Sequence, residues 1–469
     1  MSGQPSNRQE LYDRIRESSK DEYILEEMIR LGFWDSNKEL PSLLEADIRR
    51  RGELEREVRA LRTEFSRLHN EDALRKELRK RRLKESREKQ KETKERRLRE
   101  KAERAENWKK RKETDILYLG EEVSGGLREQ VNELARLKKN RLPVFVEYSE
   151  LAEAMGLSVP ELRFLAFNRR VSQVSHYRRY TIPKKTGGER LISAPMPRLK
   201  KAQKWILENI LTGIDVHPAA RGFLKGKSIK DNAAPHSHAV IAANMDLKDF
   251  FPSITYPRVR GLFRALGYSE RMATIFALLV TEPAIEEVEL DGVVSYVART
   301  ERALPQGSPA SPAVTNLLCR RLDARLSGIA GELGFAYTRY ADDISFSSKE
   351  ESPRITALLA RAAHIINSEG FRINKEKTRV FRRGRRQEVT GLTVNDGPAV
   401  PRKTLRNFRA LLHQVELHGP KNKKWGGGKN LQSSMKGFAN FVRMITPEKG
   451  EKLLSRVNEV FAKHSSSGK

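Results

Sequence analysis

The chain has 469 residues, of which 91 are Lys or Arg and 62 are Asp or Glu, so its formal net charge is +29 at pH 7. This excess indicates a polyanionic partner, most simply nucleic acid, and no apolar run is long enough to predict a membrane-spanning helix. A single cysteine, Cys319, excludes internal disulfides and cysteine zinc clusters, and with an N-terminus that lacks an apolar signal segment it predicts a cytoplasmic protein.

Residues 1–140 form an extension that differs in composition from the rest of the chain. Apolar residues recur there at 4-3-4-3 spacing, which predicts the seam of a short coiled coil or of a helix laid on a partner. This apolar seam consists of Leu54, Val58, Leu61, Phe65 and Leu68. Residues 75–112 then hold 20 Lys or Arg against 8 Asp or Glu, and the interleaved glutamates favour a long solvated helix. Such a helix either binds nucleic-acid phosphates or acts as a charged spacer.

From residue 141 the pattern changes to that of a compact domain. Short helices are predicted over 148–155 and 159–167, and a further helix over 197–211. Between them, two apolar runs within 180–192 flank a Gly-Gly pair, which predicts a β-hairpin. Lys184 and Arg190 lie near its tip, where an Arg fork and a Lys point charge suit a triphosphate. A solvated surface hairpin is the alternative.

A predicted strand leads into Asp246 from the apolar run 240–243. An isolated aspartate at a strand end is usually a cap or turn residue. Asp246 therefore indicates a metal site only if other carboxylates lie beside it. Leu247 offers a backbone carbonyl next to it. Phe251 follows five residues after the aspartate. Its ring either belongs to the core or lies where it would stack on an incoming sugar and clash with a 2′-hydroxyl.

A loop of small and rigid residues, Pro305, Gln306 and Gly307, precedes a helical run over 313–329. Such residues let backbone approach a ligand closely. Loops of this composition are common, so the signal is weak alone. Between two acidic segments, it predicts support for a nucleotide.

The most informative stretch is Tyr340-Ala341-Asp342-Asp343, which lies between two short runs of strand-forming residues. The pattern predicts a β-hairpin whose tight turn carries both aspartates. Adjacent buried carboxylates are costly without a cation, and Mg²⁺ suits an all-oxygen site that leaves room for substrate phosphates. With Asp246 as the further carboxylate and the Leu247 carbonyl as an additional ligand, two ions about 3.5–4 Å apart fit this set.

The C-terminal third is predicted to be largely helical. An amphipathic helix is expected over 354–369, and a charged hairpin before Val389. The basic residues of that hairpin are Arg379, Arg382, Arg383, Arg385 and Arg386. A helical pattern then runs over 402–461 with a Lys/Gly-rich break at 421–430. The break contains Trp425, which either stacks on a base or packs in the protein.

In this order, the basic hairpin, the aspartate strand, the Pro-Gln-Gly loop and the Tyr-Ala-Asp-Asp turn resemble a reverse transcriptase. Two further segments are similar to signatures of retron reverse transcriptases: Asn232-Ala233-Ala234-Pro235-His236, and Val389-Thr390-Gly391. The basic N-terminal extension resembles that of the myxobacterial members. The resemblance covers roughly residues 145–460. It implies an α+β right-hand polymerase fold, with fingers at 141–239, a palm at 240–397 and a thumb at 398–469.

The resemblance also assigns roles. It implies that Asp246 and Asp342 bind two Mg²⁺ ions with Asp343 in support, that Phe251 is a steric gate against ribonucleotides, and that Gln306 lies near the nucleotide. Lys377 is the candidate acid that protonates departing pyrophosphate, and Lys375 is its competitor. Asn232, His236 and the segment formed by Val389, Thr390 and Gly391 are expected to contribute to RNA recognition.

For function, the resemblance implies synthesis of DNA from dNTPs on a cognate structured noncoding RNA of the msr–msd type. Priming is expected from the 2′-hydroxyl of an internal guanosine, which yields branched RNA-linked DNA. A role in bacterial defence against phage is implied, and an effector or toxin protein is a possible partner. The alternatives are a group II intron-type or diversity-generating reverse transcriptase, and a noncatalytic RNA-binding scaffold. The scaffold alternative predicts decayed acidic motifs, whereas all three aspartates are intact.

Overall fold

The computed structural model describes Tyr12 and residues 15–34, 43–184, 187–350, 354–428 and 430–466. The chain divides into two compact units, Met1–Lys109 and Lys110–Lys469. Among the described residues, no helix combines the length and apolar character needed to cross a bilayer.

The N-terminal unit is helical. Helix α1 (Lys20–Arg30) begins with a capping box in which Ser19 and Glu22 bond each other's backbone N–H groups. Helix α2 (Leu43–His69) carries the apolar seam, and α3 (Glu71–Thr114) has no buried residue along its 44 positions. The prediction of a long solvated helix is therefore confirmed. Its charge and lack of an apolar face account for this exposure, because burying the helix would remove no apolar surface stripe from water.

The second unit begins with short helices that frame a β-hairpin. Helices α4 (Leu134–Lys139), α5 (Tyr148–Met155) and α6 (Val159–Ala166) precede strands β1 (Val171–Ser172), β2 (Tyr177–Pro183) and β3 (Glu189–Pro195). Strands β2 and β3 pair antiparallel as predicted, although the hairpin residues 185 and 186 lie outside the described residues. The predicted helix over 197–211 is α7 (Pro197–Ile206), extended by a π-helical turn over Leu207–Leu211.

The central part of the unit is a four-stranded antiparallel sheet. Its elements, in chain order, are α8 (Ile229–Ala233), β4 (Ile241–Lys248), α9 (Tyr256–Leu266), α10 (Glu270–Val280), β5 (Glu282–Leu290), β6 (Val293–Ala303), α11 (Ser311–Leu318), α12 (Arg320–Glu332), β7 (Ala336–Tyr340), β8 (Asp343–Ser348), α13 (Ile355–Ser368) and β9 (Arg372–Arg382). The sheet order is β7-β8-β4-β9. Helices α12 and α13 pack against β7 and β9, while β5 and β6 form a separate hairpin joined to β1.

Two details differ from the sequence prediction in this region. The helical run over 313–329 is two helices that meet at Cys319, whose buried thiol has its pKa raised to about 11 by loss of hydration. The arginines expected in a hairpin before Val389 lie on β9 and the turn after it. The hairpin itself is formed by β10 (Glu388–Val389) and β11 (Leu392–Thr393).

The C-terminal helices build a second core. Helices α14 (Arg402–His418), α15 (Leu431–Ile445) and α16 (Pro447–Ser466) follow the predicted pattern, with the break where it was expected. Their apolar faces enclose a cluster that also contains Ala233 of α8 and Val389 of β10. Trp425 packs there, with its ring centroid 5.1 Å from that of Phe408 and 5.0 Å from that of Phe438. Of the two alternatives for Trp425, stacking on a base or packing in the protein, the structure shows packing in the protein.

Candidate active site

The carboxylates predicted to act together lie at one end of the central sheet. Strands β4 and β8 are antiparallel, and their register places Asp246 opposite Asp343. Asp342 occupies the turn between β7 and β8, where its carbonyl accepts a hydrogen bond of 3.1 Å from the Leu247 N–H. Residues directly opposite each other in a sheet have Cβ atoms about 4.5–5.5 Å apart. The fold therefore brings the three aspartates together.

Burial and neighbouring negative charge raise the pKa values of two of these carboxylates. Asp246 is buried, with 7% of its surface exposed. Loss of hydration, with the charge of Asp246 in addition, raises the pKa of Asp342. Asp343 is the most exposed of the three, yet partial desolvation and the charges of Asp342 and Asp246 raise its pKa to about 6. Like charges held this closely favour a cation among them.

Lys377 supplies a positive charge at this site. Its Nζ lies 3.0 Å and 3.2 Å from the two carboxylate oxygens of Asp246. Strand β9 reaches this position through a bulge, because Asn374 pairs with Asp246 but Arg379 pairs with Asn244. Bulges re-aim side chains and are frequent next to active sites. Lys375, the competing candidate, makes no ion pair within the described part of the chain.

The donor set suits a hard divalent ion. The described residues contain no group of three or more His, Cys, Asp or Glu side chains already arranged around one metal position. Mg²⁺ does not require such a group, since it usually takes one or two carboxylates and completes its shell with water and substrate phosphates. The three crowded carboxylates, two of which (Asp342 and Asp343) have raised pKa values, therefore fit magnesium better than they fit a preformed protein cage.

A buried arginine, which the sequence did not single out, supports the aspartate turn. Arg339 is fully buried and forms a two-pronged ion pair with Asp323, with N···O distances of 2.7 Å and 2.8 Å. Its Nη1 also donates to the carbonyl of Ala341 at 3.1 Å and to Asn316 Oδ1 at 3.2 Å. Ala341 has a left-handed backbone with φ +58°. Such a conformation is costly without surrounding support, and the Arg339 bonds provide it.

The loop at 219–223 also lies against the turn. The Arg221 N–H donates to the Arg339 carbonyl at 2.8 Å, and Asn316 Nδ2 donates to the Gly222 carbonyl at 2.9 Å. A Cβ at Gly222 would lie 2.8 Å from the Ala341 nitrogen, so only glycine permits this approach. The approach places the exposed Phe223 ring 6.3 Å from that of Phe251 and 6.2 Å from that of Tyr340.

The Pro-Gln-Gly loop docks on the β2–β3 hairpin through backbone contacts. The Ser193 N–H donates to the Gln306 carbonyl at 2.8 Å. Gly307 has φ +125°, and a Cβ there would lie 2.7 Å from the Ser193 carbonyl oxygen. Ser308 Oγ donates to the buried Gln203 at 2.8 Å. The loop is thus held by backbone, and the Gln306 side chain remains half-buried beside it.

The basic side chains of the hairpin have different surroundings. The pKa of Asp342 is raised overall, and the positive charge of Arg190 on β3 opposes that rise. The Arg190 guanidinium is therefore close enough to act on the aspartate turn. Lys184 lies just before the part of the hairpin that is not described, and its N–H donates to the Gly188 carbonyl at 2.9 Å. A role for either residue in binding nucleotide remains a prediction.

The two signature segments meet each other in the interior. Asn232 Nδ2 donates to Thr390 Oγ1 at 3.4 Å. His236 is fully buried, with its ring nitrogens 2.7 Å from Ser347 Oγ and from Thr338 Oγ1. Desolvation lowers the pKa of His236 to about 4. Val389 belongs to the second core.

The side chains of Asn232, His236 and Val389 are enclosed by protein, so their contribution to RNA recognition, which stays a prediction, is through the segments that they hold in place. Thr390 and Gly391 differ, since both have left-handed backbone, with φ +48° and +80°, and reach the surface. The buried members of the two segments hold the turn that presents Thr390 and Gly391. Sequence reasoning could not separate these roles, because both types of residue occur in one short segment.

Known proteins show extensive similarity to the chain. A family model described as reverse transcriptase (RNA-dependent DNA polymerase) matches residues 182–405. The retron Mx162 reverse transcriptase of Myxococcus xanthus is 45% identical over 340 residues, which cover 69% of this chain and 69% of that protein. The retron Mx65 reverse transcriptase of the same organism is 40% identical, covering 70% of this chain and 75% of the relative. The retron Ec86 reverse transcriptase of Escherichia coli is 31% identical, and the match covers 70% of this chain and 94% of that protein.

Proposed function

The chain belongs to the retron reverse transcriptases and is an RNA-directed DNA polymerase, and we propose that it copies a cognate structured noncoding RNA of the msr–msd type. The DNA begins at the 2′-hydroxyl of an internal guanosine and stays joined to the RNA as a branched product. The observation that carries the proposal is the register of β4 and β8, which sets Asp246 opposite Asp343 beside the Asp342 turn. That geometry suits transfer of a nucleotidyl group and has no use in a noncatalytic scaffold.

In this proposal Asp246 and Asp342 hold two Mg²⁺ ions, with the Leu247 carbonyl and Asp343 completing or supporting the set. When bound, the ions supply charge stabilisation for the attacking and leaving oxygens of an in-line displacement. Lys377 Nζ lies against Asp246. In this proposal the Nζ group leaves the Asp246 carboxylate, contacts the departing pyrophosphate and donates a proton to that pyrophosphate. Proton transfer of this kind typically contributes 10²–10⁴-fold to a rate.

The remaining predicted residues select and orient the nucleotide. Arg190 and Lys184 bind the triphosphate as a fork and a point charge. Phe251 limits the space beside the sugar, so that a 2′-hydroxyl is excluded. Its ring is half-buried and has neighbouring aromatic rings in Phe223 and Phe250, which restrict its movement. The half-buried Gln306 lies on a loop anchored to the hairpin that carries Arg190.

Two observations favour a retron enzyme over the group II intron-type and diversity-generating alternatives. The relatives that match along most of the chain are retron reverse transcriptases. Moreover, the segments containing Asn232 and Val389 occur together and are bonded to one another through Thr390. RNA is generally recognised by shape and by exposed loops, which suits the outward turn at Thr390 and Gly391. We also propose a cytoplasmic role in defence against phage with an effector protein as partner, and membership of the retron reverse transcriptases supports this proposal.

The test is to sequence the nucleic acid that copurifies with the protein and to supply the purified complex with dNTPs and Mg²⁺. We expect DNA that remains linked to RNA through a 2′,5′ bond and is released by a debranching enzyme. DNA with a free 5′ end would refute the branching mechanism while leaving the polymerase assignment intact.

A second measurement addresses the carboxylates themselves. Asp342→Asn removes one charge from the proposed metal site without changing side-chain size, so we expect dNTP incorporation to fall by at least about 10³-fold because metal-assisted transfer is lost. RNA affinity, measured by filter binding, should remain near that of the parent. Normal extension by this variant would overturn the assignment of the site.

A further inference from the structure

Among the described residues of the N-terminal unit (Tyr12, 15–34 and 43–109), no element covers the apolar seam on α2. Leu54, Val58, Leu61, Phe65 and Leu68 are each between 44% and 63% exposed. Their spacing puts them on one side of the helix. Solvent exposure of five large apolar side chains in one stripe is unfavourable, and such a stripe marks an interaction surface.

The opposite face of α2 is already occupied by the preceding segment. Glu22 of α1 lies so close to Gly52 that a Cβ there would clash with the Glu22 carboxyl group. Arg56 Nη2 bonds Glu22 Oε1 at 3.1 Å, and Arg59 Nη1 bonds the Arg16 carbonyl at 3.0 Å. Positions 52, 56 and 59 point away from the seam on a helix of 3.6 residues per turn. The seam is therefore not the surface that α1 uses.

The charged residues beside the seam indicate what covers it. In a parallel two-stranded coiled coil, each residue on one flank lies next to the residue five positions later on the other helix. For two copies of α2 these pairs are Arg50 with Glu55, Glu57 with Arg62, and Glu64 with His69. Two of the pairs have opposite charge, and the third does when the imidazole is protonated.

Five of the six flanking groups are available for pairing, while the ring of His69 is stacked on Phe65 of the seam, with centroids 3.9 Å apart. Glu57, Arg62 and Glu64 form no ion pair among the residues that the structure describes. On the exposed surface, Arg50 contacts Glu53 at 2.9 Å, and Glu55 contacts Arg51 at 3.7 Å. Surface pairs of that kind contribute about 0–1 kcal/mol, so exchanging them for pairs to another chain costs little.

We infer that the apolar seam pairs in parallel with the same seam of a second copy of this chain. The pairing is short, because the preceding seam positions are occupied by Arg51 and Asp47. Two heptads of apolar contact support a weak dimer whose population depends on concentration. This surface is separate from the proposed catalytic site, and the inference does not depend on the product that the enzyme makes.

The test is sedimentation of the full-length protein over a concentration series, after nuclease treatment and in enough salt to prevent bridging by RNA. We expect the mass to rise from one chain to two. Leu61→Asp, in the middle of the seam, should keep the protein at one chain throughout, whereas the control Ala60→Asp, at the neighbouring exposed position, should dimerise like the parent. A parent protein that stays at one chain, or a control that dimerises as poorly as Leu61→Asp, would overturn the inference.

Two further variants test the orientation. Glu57→Arg should weaken the dimer and the double variant Glu57→Arg/Arg62→Glu should restore it, because the reciprocal exchange recovers both pairs. Leu54→Cys should form a cross-linked dimer under mild oxidation only if the two seams run parallel and in register. The background is low because Cys319 is buried. Failure of Leu54→Cys to cross-link, or of the double variant to recover, would exclude the parallel pairing.

Discussion

At the scale of single residues, Arg339 decides whether the aspartate turn keeps its shape. It joins Asp323, Asn316 and the Ala341 carbonyl in a fully buried network. Arg339→Met leaves Asp323 as a buried charge without its partner, which typically costs 3–5 kcal/mol. We expect a large drop in the denaturant midpoint and loss of primer extension.

The matched control for this change is Arg361→Met. Arg361 also forms a two-pronged pair, with Glu332 at 2.8 Å and 2.7 Å, but on the exposed surface. Exposed pairs contribute about 0–1 kcal/mol, so stability and extension should change little. Equal effects of the two variants would show that burial of the Arg339 network does not matter.

Lys377 and Lys375 are distinguished by position. Lys377→Gln removes the ammonium group that contacts Asp246, and we expect the single-turnover rate of incorporation to fall by about 10²–10⁴-fold, the range of general-acid contributions. Lys375→Gln is the control from the same strand, and its rate should stay within a few-fold of the parent. The reverse ranking would transfer the proposed role to Lys375.

His236 makes stability depend on pH. Burial lowers its pKa from 6.5 to about 4, so the unfolded chain takes up the proton first as pH falls. Stability is therefore fully present above pH 6.5 and declines between about pH 6.5 and 4, by up to about 3 kcal/mol. Urea midpoints at pH 7 and pH 5 should differ more in the parent than in His236→Gln. An identical pH dependence in the two proteins would contradict this account.

At the scale of elements, α3 combines a positive charge excess with the absence of any buried residue along its length. If it binds RNA phosphates, deleting residues 1–113 removes those interactions. We expect weaker RNA binding and a shallower dependence of log K on log salt, by about 0.7–0.9 for each phosphate that is no longer neutralised. Lys/Arg→Gln changes confined to α3 in the full chain should have the same direction. An unaltered salt slope would identify α3 as a spacer or a protein-docking helix.

The elements around the signature segments act as a brace between the central sheet and the second core. Ala233 of α8 and Val389 of β10 lie in the second core, while His236 bonds Ser347 of β8 and Thr338 of β7. Asn244 of β4 also donates to the Glu388 carbonyl at 2.7 Å. Movement of the exposed Thr390–Gly391 turn is therefore opposed by bonds to the strands that carry the aspartates. This arrangement links the proposed RNA-recognition turn to the strands that carry the three aspartates.

At the scale of the whole molecule, the net charge of +29 is divided between two compact units with different construction. The first has exposed basic and apolar surfaces on helices. The second has a large core, to which Ile116, Leu119, Leu127 and Leu137 contribute from before the first helical pair. The family similarity covers about 70% of the chain. The match to the reverse transcriptase family model lies within the second unit, and the exposed surfaces of the first are those for which we propose assembly and RNA binding.

The sequence alone determined the local elements and singled out the three aspartates of the proposed metal site. Helical periodicity located α5, α6 and α13, and turn chemistry located the β2–β3 and β7–β8 hairpins, because these signals arise between near neighbours in the chain. The order of the acidic and basic segments identified the family by resemblance, because that order is read directly along the chain. Only the tertiary structure decided that Lys377 rather than Lys375 reaches Asp246, since that depends on a bulge against another strand. It alone revealed the pairing of Arg339 with Asp323, the approach of Gly222 to Ala341 and the burial of His236, because each of these results from packing between distant segments that no local pattern encodes.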